Sequence, residues 1–580
     1  MPVIPTQANT NLATFRIFSN GEELPDEIGL SSIFVTKSVN SIPKATIELF
    51  DGSLANEDFT LSAGELFTPG NDIEIKAGYR SVEDTIFKGI LIKHGIEAKT
   101  NQPSKLRVEL RDVSVKMTIG RKNRYFEDVS DSEIIEDLLG SYGLDSDVEQ
   151  TAVTHKKMVQ YYCTDWDYML TRAEANGQLV FTDDGKITVK APSLGDEPIL
   201  TLHYGQNVFE FEADMDARDQ YSSTVGKSWD FIKQEVTELE ADNSASDAHG
   251  NISAADLAGV IGLDNWTMQH NGHLPDQELQ AWTDAKLMRS RLAKIRGRVT
   301  IIGFTDIKPG HTINLEGFGD RFNGKAFVSS IFHEFAADKK WITHIQFGLD
   351  PQWFSHKYDD IIEKPASGLL PAIQGLHQGI VTDLEDPDGE GRVKVRIPVI
   401  STEEAGIWAR LATPDAGAGR GIQFYPEPDD EVVVGFFNDD PRDPVILGGI
   451  HSSSKAPPYD VNEDNFDKGI VTRGELKLTF NDDLKSVTIE TPNGNKLIIS
   501  DDEGTILLED ENGNKALLGS DGITLESASD MILKASGDVK IEGTNVEIAA
   551  NAQFKAEGSA GAEVSSSGQA VLKGSIVQIN

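Results

Sequence analysis

Twelve histidines and one cysteine are the side chains of this chain best suited to metal or nucleophilic chemistry, and their spacing argues against both. The close histidine pair, His270 and His273, lies in a loop beside Asp264 and Asp276 with no second pair at ligand spacing, which favours two solvated histidines over a metal site. Cys163, between Tyr162 and Thr164, reads as a small packing residue rather than a nucleophile, and alone it makes neither an intrachain disulfide nor a thiolate cluster. Gly417-Ala-Gly-Arg-Gly421 opens no helix and reads as a loop rather than a phosphate cradle. Asp460, Glu463, Asp464 and Asp467 lie in a polar stretch without the apolar surroundings that raise a general acid's pKa, which argues against glycoside hydrolysis there. The expectation is a non-enzymatic protein with no catalytic, cofactor-binding or metal residues.

The chain's 580 residues make several domains, and the formal charge of -41 argues against direct binding to nucleic acid or anionic lipid. The first residues lack a basic start followed by an apolar run, and no window holds the ~18 apolar residues of a membrane span. The expectation is synthesis in a bacterial cytoplasm without a signal peptide, with any export by another route than general secretion.

Up to about residue 120, short runs such as Ile73-Glu-Ile-Lys and Leu106-Arg-Val-Glu-Leu alternate apolar and polar positions, the period of half-buried strands. Helices are expected over Asp131 to Tyr142, with Ser130 and Glu133 as capping box and Gly143 as stop, and over Asp165 to Ala175 before an Asp183-Asp-Gly hairpin turn. Glu235 to Pro275 reads as an acidic surface insertion with a short helix near Ala254 to Ile261. The longest helix is expected over Asp276 to Arg296, followed by strands from Val299 to Phe347. Residues 352–372 lose periodicity and read as a linker. Five or six short strands follow between about Gly375 and His451, including Ile422-Gln-Phe, in number and length suited to a small barrel.

The tail repeats apolar beats every eight residues or so from Leu476 to Asn580, among them Val487/Ile489, Leu497/Ile499, Ile506/Leu508 and Ile523/Leu525, punctuated by Asn-Gly, Asp-Gly and Glu-Gly. So few apolar residues per strand cannot form a two-layer core in one chain, and a narrow one-chain prism would leave strand edges unpaired; three chains wound together satisfy them. The core of this tail is expected at Ile489, Ile499, Leu508, Leu525, Ile532, Ile541, Ile548, Val564 and Val571, with Lys534, Lys540 and Glu547 outside.

From Gly391 to His451, the run GRVKV...IWARLATPDAGAGRGIQFYPEPDDEVVVGFFNDDPRDPVILGGIH resembles the oligonucleotide/oligosaccharide-binding (OB) barrel of VgrG-type spikes of type VI secretion systems and extracellular contractile injection particles. The stretch Val159 to Val189 resembles the phage tail-hub half of these proteins, and the tail their intertwined triple-stranded β-helix. The resemblance implies a mainly β chain with some α: a hub over 1–365 made of two β-barrel subdomains with helical insertions, an OB barrel over 372–452, a linker over 453–475 and a needle over 476–580. It implies a homotrimer docked on inner-tube and baseplate proteins, bearing a PAAR-type tip protein at Gln578, Ile579 and Asn580 and an effector as cargo, and driven through a target membrane. Phage relatives carry a lysozyme between barrel and needle; here the separating stretch is too short for one. The alternative is a cell-wall hydrolase or toxin-carrying spike.

Overall fold

The computed structural model describes residues 13–193, 195–242, 249–263, 265–336 and 340–579. The chain is mainly β and divides into two compact units, one ending at Leu376 and taking in residues 435–445, the other formed by 377–434 and the residues from Ile446 onward.

In the first unit the period-two runs form strands whose apolar alternates are buried, as at Ile73, Ile75 and Ala77 or Leu106, Val108 and Leu110. They belong to one thirteen-stranded sheet. Its strand Gly324–Ala336 pairs with Ile342–Phe347 and with Leu30–Ser38. The two ends of the sheet line separate cores, one around Ile47, Phe87 and Trp341 and one around Val299, Leu315 and Ile345. The ladder runs through both halves. Gly303 shows how tightly they pack: a Cβ there would stand 1.9 Å from Cδ2 of Trp341.

The helix Asp131–Gly140 starts on the expected capping box of Ser130 and Glu133. Gly143, at φ 65°, ends it: its N–H donates to Gly140 O at 3.0 Å and that of Leu144 to Leu139 O at 3.3 Å, a left-handed helix stop. Ile134, Ile135, Leu138 and Leu139 pack against Met169, Leu170 and Ala173 of the helix Asp165–Ala175. The hairpin after it turns through Asp184 and Gly185, both at positive φ.

Three expectations fail here. The helix from Asp276 stops at Ala293, because Ile295 is already paired with Met215 and buried in the second core; Arg296 lies in the strand Ile295–Ile302. The stretch read as an acidic insertion contributes the strands Glu235–Glu240 and Asn265–His270, which flank Ser223–Asp230 in a three-stranded sheet, around the expected helix Ala254–Ile261. Val236 and Trp266 stand on exposed positions of these strands, so the alternation does not mark a buried face. Within residues 352–372, Phe354–Lys357 forms one helical turn rather than featureless linker.

The five-stranded barrel closes through His377–Asp383, Val393–Arg396, Ile407–Leu411, Pro444–Gly449 and Glu431–Phe436, around Val381, Val395, Ala409, Val434 and Ile446. Ile422-Gln-Phe forms no strand; it follows a two-residue ribbon, Ala416–Gly417 with Arg420–Gly421, and Ile422 and Phe424 are exposed.

Candidate assembly face of the C-terminal sheet

Seven strands from Asp467–Val471 to Gly522–Glu526 pair in sequence order as an antiparallel meander. The first lies within the stretch expected as a linker and pairs with Lys477–Asn481. Several tight turns fall at the punctuating dipeptides: Gly494, Gly504, Gly513 and Gly522 all have positive φ. At one of them the carboxylate of Asp510 accepts the N–H groups of Asn512 and Asn514 at 3.0 and 2.8 Å, and bonding from Asn514 holds it below the usual carboxylate range.

Register sorts the side chains by face. Leu478 lies opposite Ile489, Ile489 opposite Leu497, Leu497 opposite Leu508, Leu508 opposite Ala516 and Ala516 opposite Leu525. A second row on the same face runs Phe480, Val487, Ile499, Ile506, Leu518 and Ile523. The other face carries an alternating charged row, with Lys477 to Glu490 at 3.6 Å, Lys496 to Glu509 at 3.2 Å and Lys515 to Glu526 at 2.9 Å. The apolar rows stay open to solvent within one chain: Leu508 is 57% and Leu525 56% exposed. Two unbroken apolar rows of this length exceed what a monomeric surface normally leaves uncovered.

Beyond Glu526 the pattern changes. Among the described residues 527–579 none lies in a strand or helix, although the apolar beats continue. The chain bends instead at Ala528–Ser529, Ser536–Gly537, Thr544, Asn551–Ala552, Ser559–Ala560, Ser567–Gly568 and Ser575–Ile576, close to every eighth residue. The second and fourth residues after successive bends are Met531/Leu533, Val539/Ile541, Val546/Ile548, Phe554/Ala556, Ala562/Val564 and Ala570/Leu572. The third residues include Ile532, Lys540, Glu547 and Val571.

A groove of about 570 Å³ is lined by Leu497, Leu508, Leu525, Met531 and Leu533, so the apolar face continues onto Met531 and Leu533. The expected core residues therefore separate. Ile489, Ile499, Leu508 and Leu525 share one face of the sheet, and Ile541, Ile548 and Val564 hold the fourth position after a bend. Ile532 and Val571 hold the third position after a bend, as do Lys540 and Glu547. Gln578 and Ile579 are exposed; Asn580 lies outside the described residues. Sequence reading did not single out Leu478, Phe480, Met531 or Leu533, although each obeys the same alternation.

The side chains with chemical potential are scattered. Cys163 is buried, and burial, with Asp167 and Asp165 nearby, pushes its thiol up to about 11. His273 stands 3.8 Å from Asp230 and His270 bonds Gly272; Asp264 lies outside the described residues. Arg420, in the glycine-rich ribbon, is paired with Asp415 at 2.7 Å. No group of three or more metal-ligating side chains occurs among the described residues.

Comparison with known proteins decides the kinship. A family model described as the Alg8 N-terminal domain matches residues 9–337, more than half of the chain. The chain belongs to that family. The type VI secretion system/phage-baseplate injector OB domain matches residues 377–451, over the closed barrel, and the phage baseplate V C-terminal trimerisation domain matches 486–554, which takes in most of the apolar face. The resemblance to VgrG-type spikes is thereby borne out.

The type VI secretion system spike protein VgrG3 of Vibrio cholerae is 37% identical over 76 residues, 12% of this chain and 8% of its own length. VgrG1a of Pseudomonas aeruginosa is 24% identical over 231 residues, 36% of this chain and 35% of that protein. The chain thus spans well under two thirds of these relatives. Among solved structures, a 43 kDa tail protein of a Shewanella oneidensis prophage aligns over 59% of this chain and 99% of its own, at 12% identity and a TM-score of 0.45. No helix among the described residues is long and apolar enough to cross a membrane.

Proposed function

We propose that this chain is one third of a homotrimeric, non-enzymatic spike, the hub and needle of a contractile injection machine. The observation that carries the reading is the tail: two apolar rows open to solvent, followed by bends every eight residues without a ladder of the chain's own. Unpaired backbone groups and uncovered apolar rows are both costly, and two further copies wound about the same axis supply the missing ladders and the missing cover.

In that assembly the residues up to about 365 dock the inner tube and baseplate proteins, the barrel forms a collar, and the tail is the shaft. A PAAR-type tip protein seats at Gln578, Ile579 and Asn580, and an effector travels as cargo. Sheath contraction supplies the force, and the densely bonded shaft concentrates it on a small area of the target membrane.

Light scattering on the purified full chain at micromolar concentration tests the stoichiometry, combined with hydrogen exchange over residues 527–579. Three chains per particle with strongly protected amides in that segment are expected. A monomer whose tail amides are nevertheless protected overturns the reading, as does release of peptidoglycan fragments by the pure protein.

A further inference from the structure

The barrel carries an arm that its own chain leaves uncovered: residues 414–425 are exposed throughout. The arm has a defined shape nonetheless. Ala416 pairs with Gly421 and Gly417 with Arg420, the N–H of Ile422 donates to Asp415 O at 3.0 Å, and Arg420 meets Asp415 at 2.7 Å. Gly421, at φ 142°, lets the ribbon close, since a Cβ there would stand 2.6 Å from Asp415 O.

Beyond the ribbon, Ile422, Phe424 and Tyr425 are 44%, 58% and 40% exposed. β-branched and aromatic residues at this spacing suit a strand, yet the main-chain groups of Gln423, Phe424 and Tyr425 make no hydrogen bond among the described residues. The one anchor is the Tyr425 hydroxyl, which donates to Gly391 O at 2.9 Å. Residues 527–579 show the same mismatch, strand-like side chains with neither ladder nor cover from their own chain. An exposed segment that combines apolar side chains with unpaired main chain is a template for another chain.

Position and charge choose the occupant. Glu427, two residues past the arm, meets Arg473 at 2.7 Å in the turn between the strands Asp467–Val471 and Lys477–Asn481. The arm therefore adjoins the end of the tail sheet where the apolar rows begin at Leu478 and Phe480, and a copy that covers those rows lies beside it. Copies that each carry a formal charge of -41 repel over most of their surface. Here Asp415 is neutralised by Arg420 and Glu427 by Arg473, so a like-charged neighbour meets no net charge.

We infer that residues 422–425 pack against a second copy of the chain, pairing their main chain with it and burying Ile422 and Phe424 where barrel and shaft meet. The inference rests on the homotrimer reading and adds to it a contact outside the tail.

The test replaces Phe424 by the photoreactive p-benzoylphenylalanine in the full-length chain and, in a separate sample, replaces Phe480 of the tail face in the same way. Light scattering gives the particle mass, and a denaturing gel gives the copies linked on irradiation. Trimers that link through both positions are expected. Ile422→Asp should lower the yield from position 424 by about tenfold and leave the yield from position 480 unchanged. Ile422 and Phe424 are exposed in the single chain, so neither change touches the barrel core. A trimer that links through 480 but not through 424, or a yield from 424 that Ile422→Asp does not alter, overturns the arm contact and leaves the spike reading standing. Particles of a single chain overturn the spike reading and the arm contact with it.

Discussion

Leu497 and Leu508 stand directly opposite each other on neighbouring antiparallel strands, with their side chains on the apolar face of the tail sheet. The next residues outward in the same register are Lys496 and Glu509, paired at 3.2 Å on the reverse face. At this position a one-residue step separates the apolar rows from the charged pairs of the reverse face, which also carries Ile498, Leu507 and Leu517.

Leu525→Asp and Thr524→Asp test that step within one strand. Leu525 belongs to the apolar row and Thr524 to the reverse face. In the assembled trimer the first change buries three carboxylates, each costing several kcal/mol. The second should alter stability by under about 0.5 kcal/mol. Thermal unfolding of the trimer and its survival in detergent read the difference.

The bend register makes a similar prediction beyond the sheet. Ile541→Asp should abolish a detergent-resistant trimer and Lys540→Asp should leave it intact. Leu533→Asp should behave like Ile541→Asp, and Ile532→Asp should be tolerated, measured by the same electrophoretic assay.

How far the sequence discloses this register is shown by these residues. Alternation and the glycine dipeptides made the strands from Lys477 to Glu526 legible, because each hairpin carries its own turn chemistry and its own period of two. Past Ala528 only the eight-residue beat remains. Three consecutive apolar residues, Met531, Ile532 and Leu533, leave the parity ambiguous until the position of a bend is known. The helix end at Ala293 was hidden for another reason: Ala-Lys-Ile-Arg has good helix propensity, and long-range pairing of Ile295 with Met215 overrides it.

Stability of the first unit should depend on pH through Asp131. Its carboxylate is 1% exposed and meets Nε and a terminal nitrogen of Arg172 at 2.6 and 2.9 Å, Nε2 of His155 at 3.0 Å and Nδ2 of Asn176 at 2.8 Å. Burial pushes the group up, but these bonds outweigh burial and hold it well below the usual carboxylate range. Its contribution is therefore complete above the unfolded value of about 3.9 and drains away as pH falls below that. Asp131→Ala should cost roughly 3 kcal/mol at neutral pH, since it removes the two-point partner of the buried Arg172 guanidinium and leaves it Glu278 at 3.1 Å, and should flatten the acid limb of a denaturation curve.

Gly303→Ala should destabilise the same unit by about 1–3 kcal/mol through overpacking, because the indole of Trp341 already occupies the space a methyl group needs. Denaturant titration followed by tryptophan fluorescence reports it.

Ending the chain after Ser454 should leave both the first unit and the barrel folded, each with its own core, while association weakens. Sedimentation at several concentrations checks this, and an unchanged association constant would locate trimer stability in the hub.

The eight-residue bends have a consequence for how cells make this protein. In the proposed trimer residues 527–579 gain their ladders only from two other copies, so a chain that has not yet assembled would expose their backbone to proteases, and assembly would remove that exposure in one step.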